Sequence, residues 1–244
     1  MEQQKHDLRF AILIDGDNAS YQYLSAIVEE VAKYGIPTVK RIYSDWTKPN
    51  NEGWKSTLLD NAITPIQQFA YTTGKNATDS AMIIDAMDLL YTGNVEGFCI
   101  VSSDSDFTKL AVRLREEGKL VIGMGEQKTP TPFVKACDRF IYLNIIQPEP
   151  SKVKRSRISS KDREILLTLI NNTINDLADD SGYASLADVG NLISKKRVDF
   201  DPRNYGYYKL SSLVKSLNAY EIDERPTGNP GIKHIYIKNK KEER

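Results

Sequence analysis

Short apolar runs alternate with helix-like patterns along the first 147 residues, and this alternation limits the possible folds more than any other feature of the chain. The runs have the length of buried strands, and the segments between them repeat their apolar residues at helical spacing. The predicted strands are 10–14, 38–43, 63–69, 98–102, 119–123 and 139–143, and the predicted helices are 20–34, 52–61, 78–91, 106–117 and 131–137. Such a pattern indicates an α/β fold, in which helices cover both faces of a parallel sheet.

The composition changes at residue 148, and the change divides the chain into two predicted domains. Residues 148–160 are rich in proline, then in basic residues and serine, which is typical of an exposed linker. Three helical patterns and two strand patterns follow it, at 161–177, 185–195, 207–217, 219–223 and 233–238. We therefore predict a first domain at 1–147, a linker at 148–160, and a small winged-helix-like α+β domain at 161–244.

Charge is divided unevenly between the two halves. Residues 1–150 contain 15 Lys and Arg against 20 Asp and Glu, whereas residues 151–244 contain 18 against 13. An acidic first part and a basic second part suit a metal-dependent domain joined to a module for an anionic partner.

Several classes of site and location are disfavoured by composition. The two histidines, His6 and His234, lie near opposite ends of the chain, and the two cysteines lack zinc-site spacing. The sequence therefore gives little support to catalysis by a histidine base. The first residues lack the apolar core of a signal peptide, and no apolar run approaches the roughly 20 residues that span a bilayer. We expect a cytoplasmic protein with reduced cysteines and no membrane contact.

Carboxylates follow two of the predicted strands. Asp15 and Asp17 come after the first strand, and Asp104 and Asp106 come after the fourth. The carboxyl ends of parallel strands meet at one edge of an open α/β sheet, where ligands bind. Asp79 is expected in a first helical turn near the same edge. Carboxylates gathered there repel one another unless a cation lies between them, and oxygen ligands favour Mg²⁺ or Mn²⁺.

A structural role for the same residues is the alternative. Asp17 or Ser20 could cap the helix that follows the first strand, and Asp104 could cap the helix after the fourth. In the third predicted helix, Thr78 is the expected N-cap. That helix is apolar on nearly all sides, which predicts deep packing. Asp85 does not share a helical face with Asp79, so only a supporting role is expected for it.

Several motifs in this order resemble the NYN domain, a branch of the PIN-like nucleases, in its LabA-like bacterial group. The matching segments are 14–18, 76–81 with 84–86, 101–107, 123–130 and 136–143. The resemblance covers residues 8–145 and implies a PIN-like Rossmannoid sheet whose acidic cluster binds Mg²⁺ or Mn²⁺ and cuts RNA. It carries the catalytic and metal-binding roles onto four residues, Asp15, Asp79, Asp104 and Asp106. Asn18 matches a polar position that supports the site, with Asp17 and Asp85 as further supporting candidates. Asp138 matches a recurring acidic position.

The segment after the fifth strand offers phosphate contacts. Lys128 could contact phosphate, while Gly123 and Gly125 would let the backbone approach a ligand closely. An ordinary turn with a solvated lysine is the alternative. Trp46 and Trp54 are candidates either for stacking on unpaired bases or for packing.

The segment 198–214 resembles the OST-HTH, or LOTUS, domain, and the similarity covers about residues 160–238. The resemblance implies RNA binding and, in some members, a protein partner. The candidate RNA-binding residues here are Lys195, Lys196, Arg197, Arg203 and Lys209. A solvated helix end is the alternative for 195–197. Tyr205, Tyr207 and Tyr208 could stack on bases, although at least one should be part of the core.

Together these features predict a metal-dependent endoribonuclease, a hydrolase acting on ester bonds, joined to a module that binds single-stranded RNA. Two alternatives remain at this point. One is a non-catalytic RNA- or protein-binding regulator with a vestigial acidic site, and the other is a phosphatase of small phosphoesters. The sequence leaves the oligomeric state open.

Overall fold

A computed structural model describes residues 7–47, 54–69, 77–146, 158–226 and 233–240. They belong to two compact units, Met1–Glu149 and Pro150–Arg244. Most of the predicted linker, 148–157, lies outside the described residues, so the proposed limits of the two domains stay a prediction. Among the described helices, none combines the length and the hydropathy needed to cross a bilayer.

The first unit is built on six parallel strands with helices between them. The strands are β1 (Arg9–Asp15), β2 (Ile36–Ser44), β3 (Thr64–Gln67), β4 (Gly97–Val101), β5 (Leu120–Gly125) and β6 (Arg139–Tyr142). The helices are α1 (Leu24–Val31), α2 (Trp54–Asp60), α3 (Ala77–Thr92), α4 (Thr108–Glu116) and α5 (Thr131–Ala136). All six predicted strands are present. In β1, β4 and β5 the continuous apolar run matches a strand that is buried on both faces.

Alternation along β1 and β2 assigns helices to the two faces of the sheet. Ile12 and Ile42 pack in one core cluster with Leu24 of α1 and Trp54 of α2. Arg41, which neighbours Ile42 in β2 and therefore points to the opposite face, pairs with Asp85 of α3. Helices α1 and α2 thus cover one face and α3 covers the other. The predicted fold class is confirmed.

The strand order β3-β2-β1-β4-β5-β6 reverses direction between β1 and β4. Connections run one way from β1 to β3 and the other way from β4 to β6, so the loops after β1 and β4 diverge and leave a crevice. In sheets of this kind, ligands bind at such a switch point, outside the carboxyl ends of the strands. The tertiary structure therefore places the loops that carry Asp15 and Asp104 beside each other.

The second unit combines three helices with a small antiparallel sheet in the order β7-β9-β8. Its elements are α6 (Ser160–Leu177), β7 (Ala184–Ser185), α7 (Leu186–Lys196), α8 (Leu210–Leu217), β8 (Tyr220–Pro226) and β9 (Lys233–Asn239). A single cluster, with Ile174, Leu213 and Ile237 among its members, forms a core separate from that of the first unit. The two-residue strand β7 was not predicted, because so short a segment carries no periodicity.

Candidate metal centre

Three carboxylates converge at the switch point. Asp79 in the first turn of α3, Asp104 after β4 and Asp106 before α4 each offer an oxygen within 4.8 Å of the others. Asp79 is buried, Asp104 is partly buried and Asp106 is exposed, so the group opens toward solvent on one side. Three carboxylate oxygens at this spacing are a suitable ligand set for a small divalent cation.

Asp15 lies beside this group and is held by three hydrogen bonds. Its Oδ2 accepts from Asn18 Nδ2 at 2.7 Å and from Ser102 Oγ at 2.7 Å, and its Oδ1 accepts from the Asp17 backbone N–H at 3.1 Å. Its side chain is almost completely buried. The structure thus brings Asp15 next to the three clustered carboxylates but not among them, and its role as a metal ligand stays a prediction.

The turn after β1 explains why Asn18 returns to Asp15. Gly16 donates its backbone N–H to the Tyr43 carbonyl at 2.8 Å, and a Cβ at this position would lie 2.9 Å from the same oxygen. Only glycine permits this close approach. The backbone N–H of Asn18 then bonds to the Asp15 carbonyl at 3.3 Å, which curls the chain and brings the Asn18 amide to the Asp15 carboxylate.

Ser102 is a site residue that the sequence interpretation missed. Its hydroxyl donates to Asp15 and accepts the Asp104 backbone N–H at 3.1 Å, so one buried side chain connects the loops after β1 and β4. A serine directly after a buried strand and two residues before an Asp-x-Asp motif is the signal that could have identified it. The connection itself depends on the adjacency of β1 and β4.

Asp104 has a structural role as well as its place in the cluster. It is the N-cap of the short 3-10 helix Ser105–Phe107, and its Oδ1 accepts the Asp106 backbone N–H at 2.9 Å. The capping alternative is therefore realised at this residue. Capping uses one oxygen and leaves the other available for a cation.

Asp17 and Asp85 hold α3 against the sheet. Asp17 accepts hydrogen bonds from Ser44 Oγ at 3.0 Å and from Thr78 Oγ1 at 2.9 Å, so the residue next to Asp79 is tied to the ends of β1 and β2. Six residues after Asp79 in α3, Asp85 accepts hydrogen bonds from Arg41 and Tyr43 of β2. Thr78 lies inside α3 and binds Asp17, so its predicted capping role is wrong. These contacts orient Asp79 toward the cluster.

Burial and mutual repulsion raise the pKa of two of these carboxyl groups. Burial raises the pKa of Asp15, although the hydrogen bonds from Asn18 and Ser102 oppose the rise. Burial first, and then the charges of Asp15, Asp104, Asp106 and Asp17, raise the pKa of Asp79 to about 6. A cation bound among these carboxylates would stabilise their ionised forms, because an opposite charge nearby favours ionisation.

We expect Ser102→Ala to weaken the site through Asp15. The substitution removes a hydrogen bond from a buried carboxylate, and such bonds to charged groups contribute about 1.5–3 kcal/mol. Outer residues of metal sites typically change metal affinity by about 10–100-fold. Thermal melts with increasing Mn²⁺ should show a lower melting temperature and a weaker Mn²⁺-induced rise. Ser105→Ala is the matched control, because Ser105 is exposed in the same turn. Equal melts of the two variants would contradict this role.

Two glycines within β5, Gly123 and Gly125, serve packing rather than ligand approach. A Cβ on Gly123 would lie 2.5 Å from Phe140 Cδ2 and 2.7 Å from Cys137 Sγ. A Cβ on Gly125 would lie 2.6 Å from the Ser102 carbonyl oxygen. A side chain at either position would collide with residues packed against β5. We therefore assign these glycines a packing role, instead of the expected role in ligand approach.

Four other sequence candidates have roles of their own in the first unit. Asp138 accepts the Val121 backbone N–H and pairs with Arg115 at 2.8 Å, at the start of β5 and so at the edge opposite the carboxylates. Lys128 pairs with Glu126 at 2.9 Å. Trp46 and Trp54 pack edge to face with ring centroids 6.3 Å apart, and Trp54 is buried, which favours packing over base stacking.

The predicted RNA-binding cations of the second unit fall into two groups. Three are paired with aspartates of their own unit: Lys196 with Asp176, Arg197 with Asp199, and Arg203 with Asp201. Lys195 and Lys209 are exposed and have no ion pair within the part of the chain that the structure describes. RNA binding by any of the five stays a prediction.

Comparison with known protein families identifies both domains. A family model described as the NYN domain matches residues 9–144, and a second one, described as the OST-HTH/LOTUS domain, matches residues 157–232. Both domains predicted from the motifs are confirmed, in the predicted order.

Three proteins that are similar to this chain are themselves described as uncharacterized or of unknown function. An uncharacterized protein of Methanocaldococcus jannaschii is 27% identical over 128 residues, which are 51% of this chain and 50% of that protein. The chain therefore spans about half the length of this curated relative. A crystal structure of a protein of unknown function from Vibrio parahaemolyticus is 18% identical, with a TM-score of 0.49, over 57% of this chain and 95% of that one. A solution structure of an uncharacterized protein from Nitrosomonas europaea is 31% identical, with a TM-score of 0.31, over 40% and 90%.

Proposed function

We propose that this chain, which belongs to the NYN family, is a metal-dependent endoribonuclease whose OST-HTH/LOTUS domain binds the RNA. The NYN family is a branch of the PIN-like nucleases, and the resemblance implies hydrolysis of RNA phosphodiester bonds. The observation that carries the proposal is the convergence of Asp79, Asp104 and Asp106 at the switch point of the sheet, with Asp15 beside them.

The residues present fit a divalent cation. Asp79, Asp104 and Asp106 supply only oxygen ligands, and the pKa of Asp79 is raised first by burial and then by the negative charges of the neighbouring carboxylates. Mg²⁺ and Mn²⁺ prefer such carboxylate sites. A bound cation of this kind would lower the pKa of a water molecule and stabilise charge on the phosphoryl group.

Each residue of the centre has a proposed role. Asp79 and Asp104 would hold the cation, and Asp15 would ligate it directly or through water. Asp106, as the exposed member, would complete the ligand set or orient the attacking water. Ser102 and Asn18 would fix the orientation of Asp15 through the hydrogen bonds described above. Asp17 and Asp85 would support the centre by keeping α3 in place.

The second domain would supply a large part of the affinity for RNA. Its sequence carries an excess of positive charge, whereas the first domain carries an excess of negative charge that repels phosphates. We propose single-stranded RNA as the substrate. The cytoplasmic location stays a prediction.

Two alternatives are separated from the proposal by one experiment. Full-length protein is incubated with labelled single-stranded RNA and, separately, with a chromogenic phosphate ester, each in Mg²⁺, Mn²⁺ or EDTA. We expect cleavage of the RNA within the strand in the presence of metal, and no cleavage in EDTA. Hydrolysis of the ester alone would indicate a phosphatase of small phosphoesters. RNA binding without cleavage in any metal would indicate a non-catalytic regulator with a vestigial acidic site.

A further inference from the structure

The second unit exposes one aromatic ring that its core does not use. Tyr208 is 81% exposed, the highest value among the exposed large hydrophobic side chains of the described residues. Its neighbours Tyr205 and Tyr207 are both packed against the core, and the Tyr205 ring lies 6.2 Å from that of Phe200. The structure therefore separates three tyrosines that the sequence could not distinguish, and it leaves Tyr208 as the ring available to a partner.

Lys209 follows Tyr208 and is also available. It is exposed and forms no ion pair with the residues that the structure describes. It is the N-cap residue of α8, a position where a side chain accepts backbone N–H groups, which an ammonium group cannot do. No described acidic side chain therefore neutralises the charge of Lys209. Arg203 differs, because two nitrogens of its guanidinium donate hydrogen bonds to the Asp201 carboxylate.

Helix α8 continues this surface without adding negative charge. Its sequence contains no acidic residue, and its apolar side chains Leu213, Val214 and Leu217 are buried. The exposed positions are Ser212, Lys215 and Ser216. Lys215 pairs with Glu224, which leaves Lys209 as the unneutralised cation. We call Tyr208, Lys209 and the exposed side of α8 the α8 surface.

We propose that the α8 surface binds single-stranded RNA, with Tyr208 stacked on an unpaired base and Lys209 in contact with an adjacent phosphate. An aromatic ring beside a lysine suits a chain of bases and phosphates, because stacking accepts any base and the cation offsets the backbone charge. A protein partner fits less well, since lysine and serine are depleted in protein interfaces and a single ring offers little apolar area. The inference deepens the proposed function by assigning the RNA-binding surface.

A binding titration of the full-length protein tests the assignment. Fluorescence anisotropy of a labelled, unstructured RNA oligonucleotide is measured in EDTA at two salt concentrations. We expect Tyr208→Ala to weaken binding by about 5–150-fold, the range for the loss of one stacked base. Tyr208→Phe keeps the ring and should bind as the parent does. Lys209→Ala should weaken binding and reduce the slope of log K against log salt by about 0.7.

Matched controls separate the surface from general effects. Tyr91→Ala removes an exposed tyrosine from the first unit, and Lys161→Ala removes an exposed lysine from α6 with the same change of net charge. Neither should change the affinity or the salt slope. Thermal melts should show that Tyr208→Ala and Lys209→Ala fold like the parent, because both side chains are exposed.

The outcomes distinguish this inference from the proposed nuclease activity. Unchanged RNA affinity in Tyr208→Ala and Lys209→Ala would overturn the inference and leave the α8 surface to a protein partner. An equal loss in Tyr208→Phe and Tyr208→Ala would also overturn it, because stacking does not need the hydroxyl group. EDTA removes metal-dependent cleavage from the titration. A protein that shows Tyr208-dependent binding but cleaves no RNA would therefore support this inference and contradict the proposed activity.

Discussion

Asp104→Asn should reduce metal-dependent RNA cleavage by more than about 100-fold while leaving the fold intact. The loss of an outer residue of a metal site typically lowers affinity or activity by about 10–100-fold, and the loss of a direct ligand should exceed that range. Asparagine caps helices as well as aspartate does, so the hydrogen bond from the Asp106 backbone N–H would be retained. The substitution thus separates a role in cation binding from a role in capping. Initial rates of cleavage over a range of Mn²⁺ concentrations provide the measurement.

Asp79→Asn should cause the same loss of cleavage and should also stabilise the metal-free protein. The pKa of Asp79 is raised to about 6, above the 3.8 of an ordinary aspartate. Protonation therefore favours the folded state, and this stabilisation is present below pH 3.8 and lost as the pH rises through about 6. The neutral variant should have a higher melting temperature than the parent at pH 7.5 in EDTA. The gain in free energy of unfolding has an upper bound of about 3 kcal/mol, and the difference should shrink at lower pH.

Asp88→Asn is the matched control for both variants. Asp88 lies on the exposed side of α3, away from the cluster, and its substitution changes the net charge by the same amount. Its cleavage rate and its melting temperature in EDTA should equal those of the parent. Cleavage by Asp104→Asn at the parental rate would mean that the residue acts only as a cap. Unfolding of both site variants would mean that the carboxylates are structural.

Removal of residues 149–244 should weaken RNA binding by at least about fivefold, since the loss of even one stacked base is worth about 1–3 kcal/mol. It should also flatten the slope of log K against log salt by about 0.7 for every phosphate contact that is lost. The physical reason is the division of charge, because the remaining residues carry more acidic than basic side chains. Anisotropy titrations of the full-length and shortened proteins at two salt concentrations provide the comparison.

The shortened protein should keep its fold and its metal response, because the first unit has its own core. Its melting temperature should still rise with Mn²⁺, which serves as the control for an intact centre. Slow RNA cleavage should persist at high enzyme concentration. Equal affinities and equal salt slopes for the two proteins would rule out RNA binding by the second domain and leave it as a protein-interaction module.

Sequence alone determined the fold class, the family and the segments that form the candidate centre. Buried parallel strands appear as uninterrupted apolar runs, so β1 and β4 were recognisable, and the carboxylates that follow them were recognisable with them. Both signals are local, since each depends on residues a few positions apart. The same is true of the motif that identified the second domain, because it lies in one continuous segment, 198–214, that leads into α8.

The tertiary structure decided how these segments act on one another. The hydrogen bond from Ser102 to Asp15 joins residues 87 positions apart, and the one from Thr78 to Asp17 joins residues 61 positions apart. Neither follows from local pattern, because the strand order that brings them together depends on the packing of the whole sheet. Helix α3 shows the same limit, since its apolar pattern predicted deep packing but Ile84 is 63% exposed.

The fate of individual charges and rings was also decided only by packing. The sequence offered Lys196, Arg197 and Arg203 alike as candidate RNA-binding residues, yet the fold pairs these three with aspartates. The same fold buries part of Tyr205 and exposes Tyr208. Whether a side chain is available to a partner depends on which groups surround it in space, and the sequence specifies those groups only through the complete fold.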